Sequence, residues 1–174
     1  YGKIGKILKS NKSYGLQASF SISNNESQFG DVLFKPYVLD LIDEIDDEIV
    51  IAVDTEWNDS VNKFRAADYV ECNKAHSRDN YADPIFLKSA GEEIDNSKIH
   101  GEWMGIMKVK STSISTIKES IEILSRQNNF ERMKIHHLFE YLAKTDKNVR
   151  VVYTTGNWLD IDIIEDVIRA NNFL

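Results

Sequence analysis

Cysteine is nearly missing from this chain of 174 residues: Cys72 stands alone. A single thiol cannot close an internal disulfide, so packing must hold the fold, which agrees with a reducing compartment. Cys72 reads as a buried strand residue rather than a nucleophile. Proline and glycine are also scarce, at 2 and 8 residues. No Pro-, Gly- or Ser-rich linker divides the chain, and no internal repeat is visible, so a single domain over 1–174 is expected. No run of 18 or more apolar residues occurs and the N-terminus has no secretory apolar core, which removes any reason to invoke a membrane or export. The expected compartment is the cytoplasm. Positive charge is in deficit as well: 21 Lys and Arg against 28 Asp and Glu give a net charge of −7 and a pI near 5.1. That is the wrong sign for a protein that neutralises many nucleic-acid phosphates.

What is present is ordinary globular material, 42% hydrophobic and 28% charged, enough for one real core. The first 28 residues are the least patterned. Lys3, Lys6, Lys9 and Lys12 recur every three positions ahead of a Ser/Asn-rich stretch, which reads as a solvated face. From Phe29-Gly30-Asp31 the pattern sharpens into Val32-Leu33-Phe34 and then Pro36, whose fixed φ suits the first turn of a helix carrying Val38, Leu39, Leu41, Ile42 and Ile45. After an acidic cluster from Asp43 to Glu48 comes Ile49-Val50-Ile51-Ala52-Val53, closed by Asp54, which predicts a strand buried on both faces. Residues 54–66 read as a polar loop able to line a site, with Glu56, Trp57 and Arg65.

Further strands are expected at Ala67–Cys72, Ile85–Leu87 and Trp103–Val109, with a turn-rich acidic connection at Gly91–Ser97. Ile114, Ile117, Ile121 and Leu124 predict an amphipathic helix over Ser111–Arg126, and Ile135, Leu138, Phe139 and Leu142 a second over Met133–Lys144. His136 and His137 are adjacent on that second helix and point about 100° apart, so they cannot chelate one metal together from a regular helix. Both are expected at the surface or in a cap. Apolar helices alternating with buried strands are the grammar of an α/β sheet.

The chemistry concentrates in Val149–Ala170, VRVVYTTGNWLDIDIIEDVIRA. A β-branched strand passes through Thr-Thr-Gly-Asn into Trp158, Asp160 and Asp162. In extended backbone the two aspartates point the same way, about 6–7 Å apart, and could share a Mg²⁺ with a substrate phosphate. Asp162 also opens an Asp-Ile-Ile-Glu capping box ending at Glu165, so it reads equally as the N-cap of the last helix.

These residues resemble a family. GNWLDIDIIEDVIRA is similar to the C-terminal signature of the sugar-phosphate and phosphocholine-type nucleotidyltransferases. With HGEWMGIMKVK at 100–110 and FGDVLFKPYVLDL at 29–41, the chain most resembles the cytidylyltransferases that activate phosphonates such as 2-aminoethylphosphonate, found alone or fused behind a phosphoenolpyruvate mutase domain. The resemblance covers residues 29–174 and rests on three motifs in order.

It implies a Rossmann-like nucleotidyltransferase fold, a mixed and mostly parallel sheet flanked by helices. It implies Mg²⁺-dependent transfer from CTP to a small amine-bearing phosphonate or phosphate, with Asp31 and Asp160 or Asp162 as the metal-binding catalytic carboxylates. Glu102 and Trp103, with Glu56, Trp57 and Asp68, are the candidates for the acceptor: carboxylates and indole faces suit an alkylammonium group. Core packing is the competing fate of both tryptophans, and a turn or N-cap that of Asp31. A sugar-1-phosphate acceptor is the alternative among enzymes, and oligomerisation stays open.

Where the family opens with a strand and a glycine-rich A-G-x-G-x-R turn that holds the triphosphate, this chain has none. It opens on Tyr1 rather than Met, and residues 1–28 match poorly. The expectation is an N-terminally incomplete domain from an enzymatic parent, inactive by itself. The reading from another class is an interaction domain that kept the scaffold and lost the nucleotide cradle.

Overall fold

Residues 32–59, 67–80, 82–161 and 164–170 are described in a computed structural model. Asp31, Arg65 and Asp162 lie outside that set. The apolar run at Ile49 becomes strand β2 (Ile49–Asp54), and all six of its residues are buried. Burial on both faces follows from its neighbours. Strand β5 (Gly101–Val109) pairs with it antiparallel and β6 (Arg150–Thr154) parallel, from Val50↔Arg150 to Asp54↔Thr154. Strand β3 (Tyr69–Cys72) runs antiparallel to β5 and to β4 (Ile85–Gly91), and β4 runs antiparallel to β6. The ladders therefore close on themselves in the order β2-β5-β3-β4-β6.

A mixed sheet flanked by helices is what the sequence predicts, but the balance of strand directions differs from the expectation. Among the described residues β2–β6 is the one parallel ladder, and the other four within this sheet are antiparallel. Strand β4 also runs on to Gly91, past the predicted end at Leu87. Its partner β3 continues alongside, Tyr69 opposite Gly91.

Helix α1 (Tyr37–Glu44) starts behind Pro36 and buries Val38 and Ile42. It has no basic residue in its last turn. Lys108 supplies that charge from β5, donating to the carbonyls of Ile42 at 2.8 Å and Ile45 at 2.5 Å, where the helix dipole favours a cation. Helix α2 (Ile114–Ser125) follows a single 3₁₀ turn at Ser111–Ser113, and α3 (Ile135–Lys144) buries Ile135, Leu138, Phe139 and Leu142.

Strand alternation sorts the core into two clusters. Ile49, Ile51, Val53, Trp103 and Met107 face α2 and α3, while Val50, Ala52, Met104 and Ile106 face α1. Beside the second cluster lies a small antiparallel ribbon of β1 (Val32–Phe34) and β7 (Trp158–Asp160), with Phe34 and Trp158 packed on it. Helix α4 (Ile164–Ala170) closes the described chain.

Candidate functional site

The period of two along a strand decides what can meet at the end of this sheet. Asp54 ends β2 in the row Val50-Ala52-Asp54, so it belongs to the α1 face. Glu102 lies opposite it on β5, and Tyr69 opposite Glu102 on β3. Cross-strand partners share a face. One rung thus carries Tyr69, Glu102 and Asp54 side by side, with Glu102 2% and Asp54 5% exposed.

Close approach of backbone makes this rung possible. Gly101 sits where a Cβ would come 2.4 Å from Val53 Cγ1 and 2.6 Å from the Asp54 carbonyl oxygen. Any side chain there would push β5 off the end of β2.

Asp54 is gripped by two turns. Its Oδ1 accepts from the backbone N–H of Glu56 at 3.0 Å and of Gly156 at 2.7 Å, and its Oδ2 from Trp158 Nε1 at 2.8 Å. The second turn needs its Gly-Asn pair, because Gly156 and Asn157 both have left-handed backbone, φ 59° and 64°. That is a conformation glycine and asparagine tolerate best. A Cβ on Gly156 would stand 3.1 Å from Glu56 Oε2, so the Glu56 carboxylate covers this turn. The Lys35 N–H donates to the Asn157 carbonyl at 3.0 Å and ties the turn to the end of β1.

The other predicted residues divide between the two faces. Trp57, in a 3₁₀ turn at Trp57–Asp59, meets Tyr69 edge-on with centroids 5.2 Å apart and an interplanar angle of 68°. Asp160 ends β7 opposite Val32, two residues beyond Trp158 and on the same side of the ribbon. Asp54, Glu56, Trp57, Tyr69, Glu102 and Trp158 therefore form one group, with Asp160 along the ribbon beside it. Asp31 and Asp162 lie outside the described residues.

Two candidates go elsewhere. Trp103 pairs with Val53, points to the α2/α3 core, meets Phe139 edge-on at 5.0 Å and donates through Nε1 to the Ile106 carbonyl at 3.0 Å. It fills core. Asp68 shares its parity with Val70 and Cys72, and its Oδ1 lies 2.6 Å from His136 Nδ1 on α3. His136 is thus a buried residue, 8% exposed, which corrects the surface or cap position expected for it. Its neighbour His137 does cap: its Nδ1 accepts from the Lys134 backbone N–H at 3.0 Å. Cys72 is 1% exposed and burial pushes its thiol up to about 12, which keeps it protonated and unreactive at neutral pH.

Asp54 and Tyr69 are the residues that sequence reasoning passed over. A signal for Asp54 exists: a carboxylate at the carboxyl end of a doubly buried strand, where α/β sheets place their ligands. Tyr69 carries no such signal, since only the β3–β5 register brings it beside Glu102.

No protein-family model and no curated protein matches the chain. Among solved structures it is similar to the inositol-1-phosphate CTP transferase from T. maritima, with a TM-score of 0.57 and 18% identity over 82% of this chain. The chain spans about half of that protein, 51%. The likeness shows the fold alone, a mixed α/β sheet with flanking helices.

Proposed function

We propose that this domain serves Mg²⁺-dependent nucleotidyl transfer, from CTP to a small phosphonate or phosphate that carries an amine, releasing pyrophosphate. The observation that carries the reading is the way Asp54 is held. This carboxylate at the end of a strand is 5% exposed, and the described groups that orient it are neutral N–H donors. Such donors fix its direction without cancelling its charge, so it suits a hard cation. Asp54 and Asp160, both oxygen donors, are the described residues that would hold Mg²⁺, with Asp31 and Asp162 as further candidates. When bound there, the ion supplies charge neutralisation and polarisation of the reacting phosphoryl group.

The chain's own residues supply the rest. Trp158 and the Gly156 N–H keep the Asp54 carboxylate aimed, so no reorganisation is needed when substrate arrives. Glu102 and Glu56 give negative charge beside the edge-on Trp57 and Tyr69 rings. An ammonium group placed there gains both ion pairing and cation–π attraction of about 0.5–2 kcal/mol. The acceptor end of such a substrate would lie on the α1 face and its phosphoryl end toward Asp54.

The likeness to an inositol-1-phosphate CTP transferase favours a second reading, with the same donor and a polyol or sugar phosphate as acceptor. The test is pyrophosphate release from CTP, UTP and dTTP with Mg²⁺, run with 2-aminoethylphosphonate, phosphocholine and inositol 1-phosphate. It is run on this chain and on its parent open reading frame. Expected is turnover by the parent with CTP and an amine-bearing acceptor, none by the chain alone, and a loss of about 10³-fold in Asp54→Asn. Turnover with inositol 1-phosphate alone selects the second reading. Silence of the parent with every pair sinks both and leaves the interaction domain.

A further inference from the structure

On the opposite face of the sheet, Asp68, Glu92 and His136 come together from three elements: the lead-in to β3, the exit of β4 and the first turn of α3. One donor atom from each lies within 4.8 Å of the other two. The geometry points to a binding site for a first-row divalent cation of the zinc class, separate from the Asp54 site and not part of the proposed transfer.

The argument begins with charge. Tyr69 pairs with Gly91, so one step beyond the ladder Asp68 and Glu92 face each other across β3 and β4. Opposed carboxylates repel and destabilise a sheet unless something positive sits between them. The protein meets this with two groups from α3 and its lead-in: His136 on Asp68, and the Lys134 ammonium on Glu92. A divalent cation does the same work with one particle, neutralising both carboxylates while the imidazole stays neutral.

Ligand chemistry narrows the class. One imidazole nitrogen with two carboxylates is a set that Zn²⁺ accepts, whereas Mg²⁺ and Ca²⁺ prefer oxygen alone. Three protein ligands leave a fourth position for water. With metal–ligand bonds of about 2.0–2.1 Å, tetrahedral ligands stand about 3.3 Å apart, so the Asp68–His136 pair, now 2.6 Å apart, has to open and the set to readjust around the ion. The means is present: the Asp68 and Glu92 side chains are 24% and 35% exposed, and Lys134, 47% exposed, can swing away into water. His136, at 10%, is the fixed point.

Lys134 is then a built-in competitor for the metal, and this makes the idea testable in two directions. The chain is stripped with EDTA and titrated with zinc chloride, by calorimetry and by thermal denaturation. One equivalent is expected to bind and raise the melting temperature. Glu92→Gln should weaken binding by about tenfold or more, and Lys134→Met should tighten it several-fold. His137→Gln, altering the stacked neighbouring ring, should change it less than about twofold. Melting temperatures in EDTA check that each variant is folded. Equal zinc affinity in Glu92→Gln and the parent overturns the proposal, placing the metal on other histidines such as His76 or His100. No saturable binding below about 100 µM overturns it too, leaving a plain ion-pair network.

Discussion

Two carboxylate clusters stand on opposite faces of the same sheet end, and they are held in opposite ways. Asp54 is oriented by two backbone N–H groups and one indole N–H. Asp68 and Glu92 are met by an imidazole and an ammonium group. Neutral donors fix a carboxylate and leave its charge for a ligand; an ammonium group, as at Glu92, fixes it and consumes the charge. The difference teaches where an outside cation would meet no competing cationic side chain, at Asp54, and where it would first have to displace part of the protein, at Lys134. The neighbouring residues follow suit. Around Asp54 the sheet supplies further acid in Glu102 and flat aromatic faces in Trp57 and Tyr69. Around His136 there is a helix start packed on core.

The comparison breaks most violently at Gly101. Gly101→Ala places a methyl group into Val53 Cγ1 and the Asp54 carbonyl, both parts of a strand buried along its whole length. Overpacking of this kind costs about 2–3 kcal/mol. Urea unfolding should show a lower midpoint with an unchanged slope, and Asp54 should lose its alignment with the 156–158 turn. An unchanged midpoint would mean that β2 and β5 leave room for a methyl group at Gly101, and the rung that joins Asp54 to Glu102 would go with it.

Trp158→Phe sharpens the contrast at smaller cost. The ring still covers the α1 cluster, but the N–H on Asp54 Oδ2 is lost. A hydrogen bond to a charged group contributes about 1.5–3 kcal/mol, and the half-burial of Trp158 puts the expected loss near the lower figure. Because the Asp54 carboxylate is retained, the proposed Mg²⁺ site predicts Mg²⁺-dependent stabilisation that persists with weaker affinity. Complete loss of stability, or no loss at all, would deny that the indole orients this carboxylate.

Local pattern made much of the scaffold legible. Ile49–Val53 reads as doubly buried because five consecutive apolar residues leave no polar face, and it is. The spacing of Ile135, Leu138, Phe139 and Leu142 locates the buried face of α3 in the same way. Strand direction was not legible, because an apolar strand looks the same beside a parallel or an antiparallel neighbour. The mostly parallel sheet expected from the family resemblance becomes mostly antiparallel pairing around one parallel ladder. Of the candidate site, Glu102, Glu56, Trp57 and Asp160 lie together or close by, whereas Trp103 and Asp68 turn to the other face by the parity of their strands. His136 escaped because its burial is set by a partner 68 residues away in the chain, which no helical period reports.

The smallest effect expected is on the cation-held side, at His137, and its sign follows from burial. Desolvation first, and then the charge of the stacked His136 ring, hold His137 below the ordinary histidine value of 6.5. The charges of Glu92 and Asp68 act the other way. A depressed histidine pKa means that the unfolded chain takes up a proton more readily than the folded one. Its contribution is therefore complete above 6.5 and lost as pH falls through the lower folded value. Stability measured by urea midpoint should decline in that window, and His137→Gln should flatten the decline while leaving the plateau near pH 7 almost unmoved. A decline equally steep in the variant would place the titrating group elsewhere. The cap at the start of α3 would then hold as firmly with a protonated imidazole as with a neutral one, although a protonated Nδ1 has no lone pair with which to accept the Lys134 N–H.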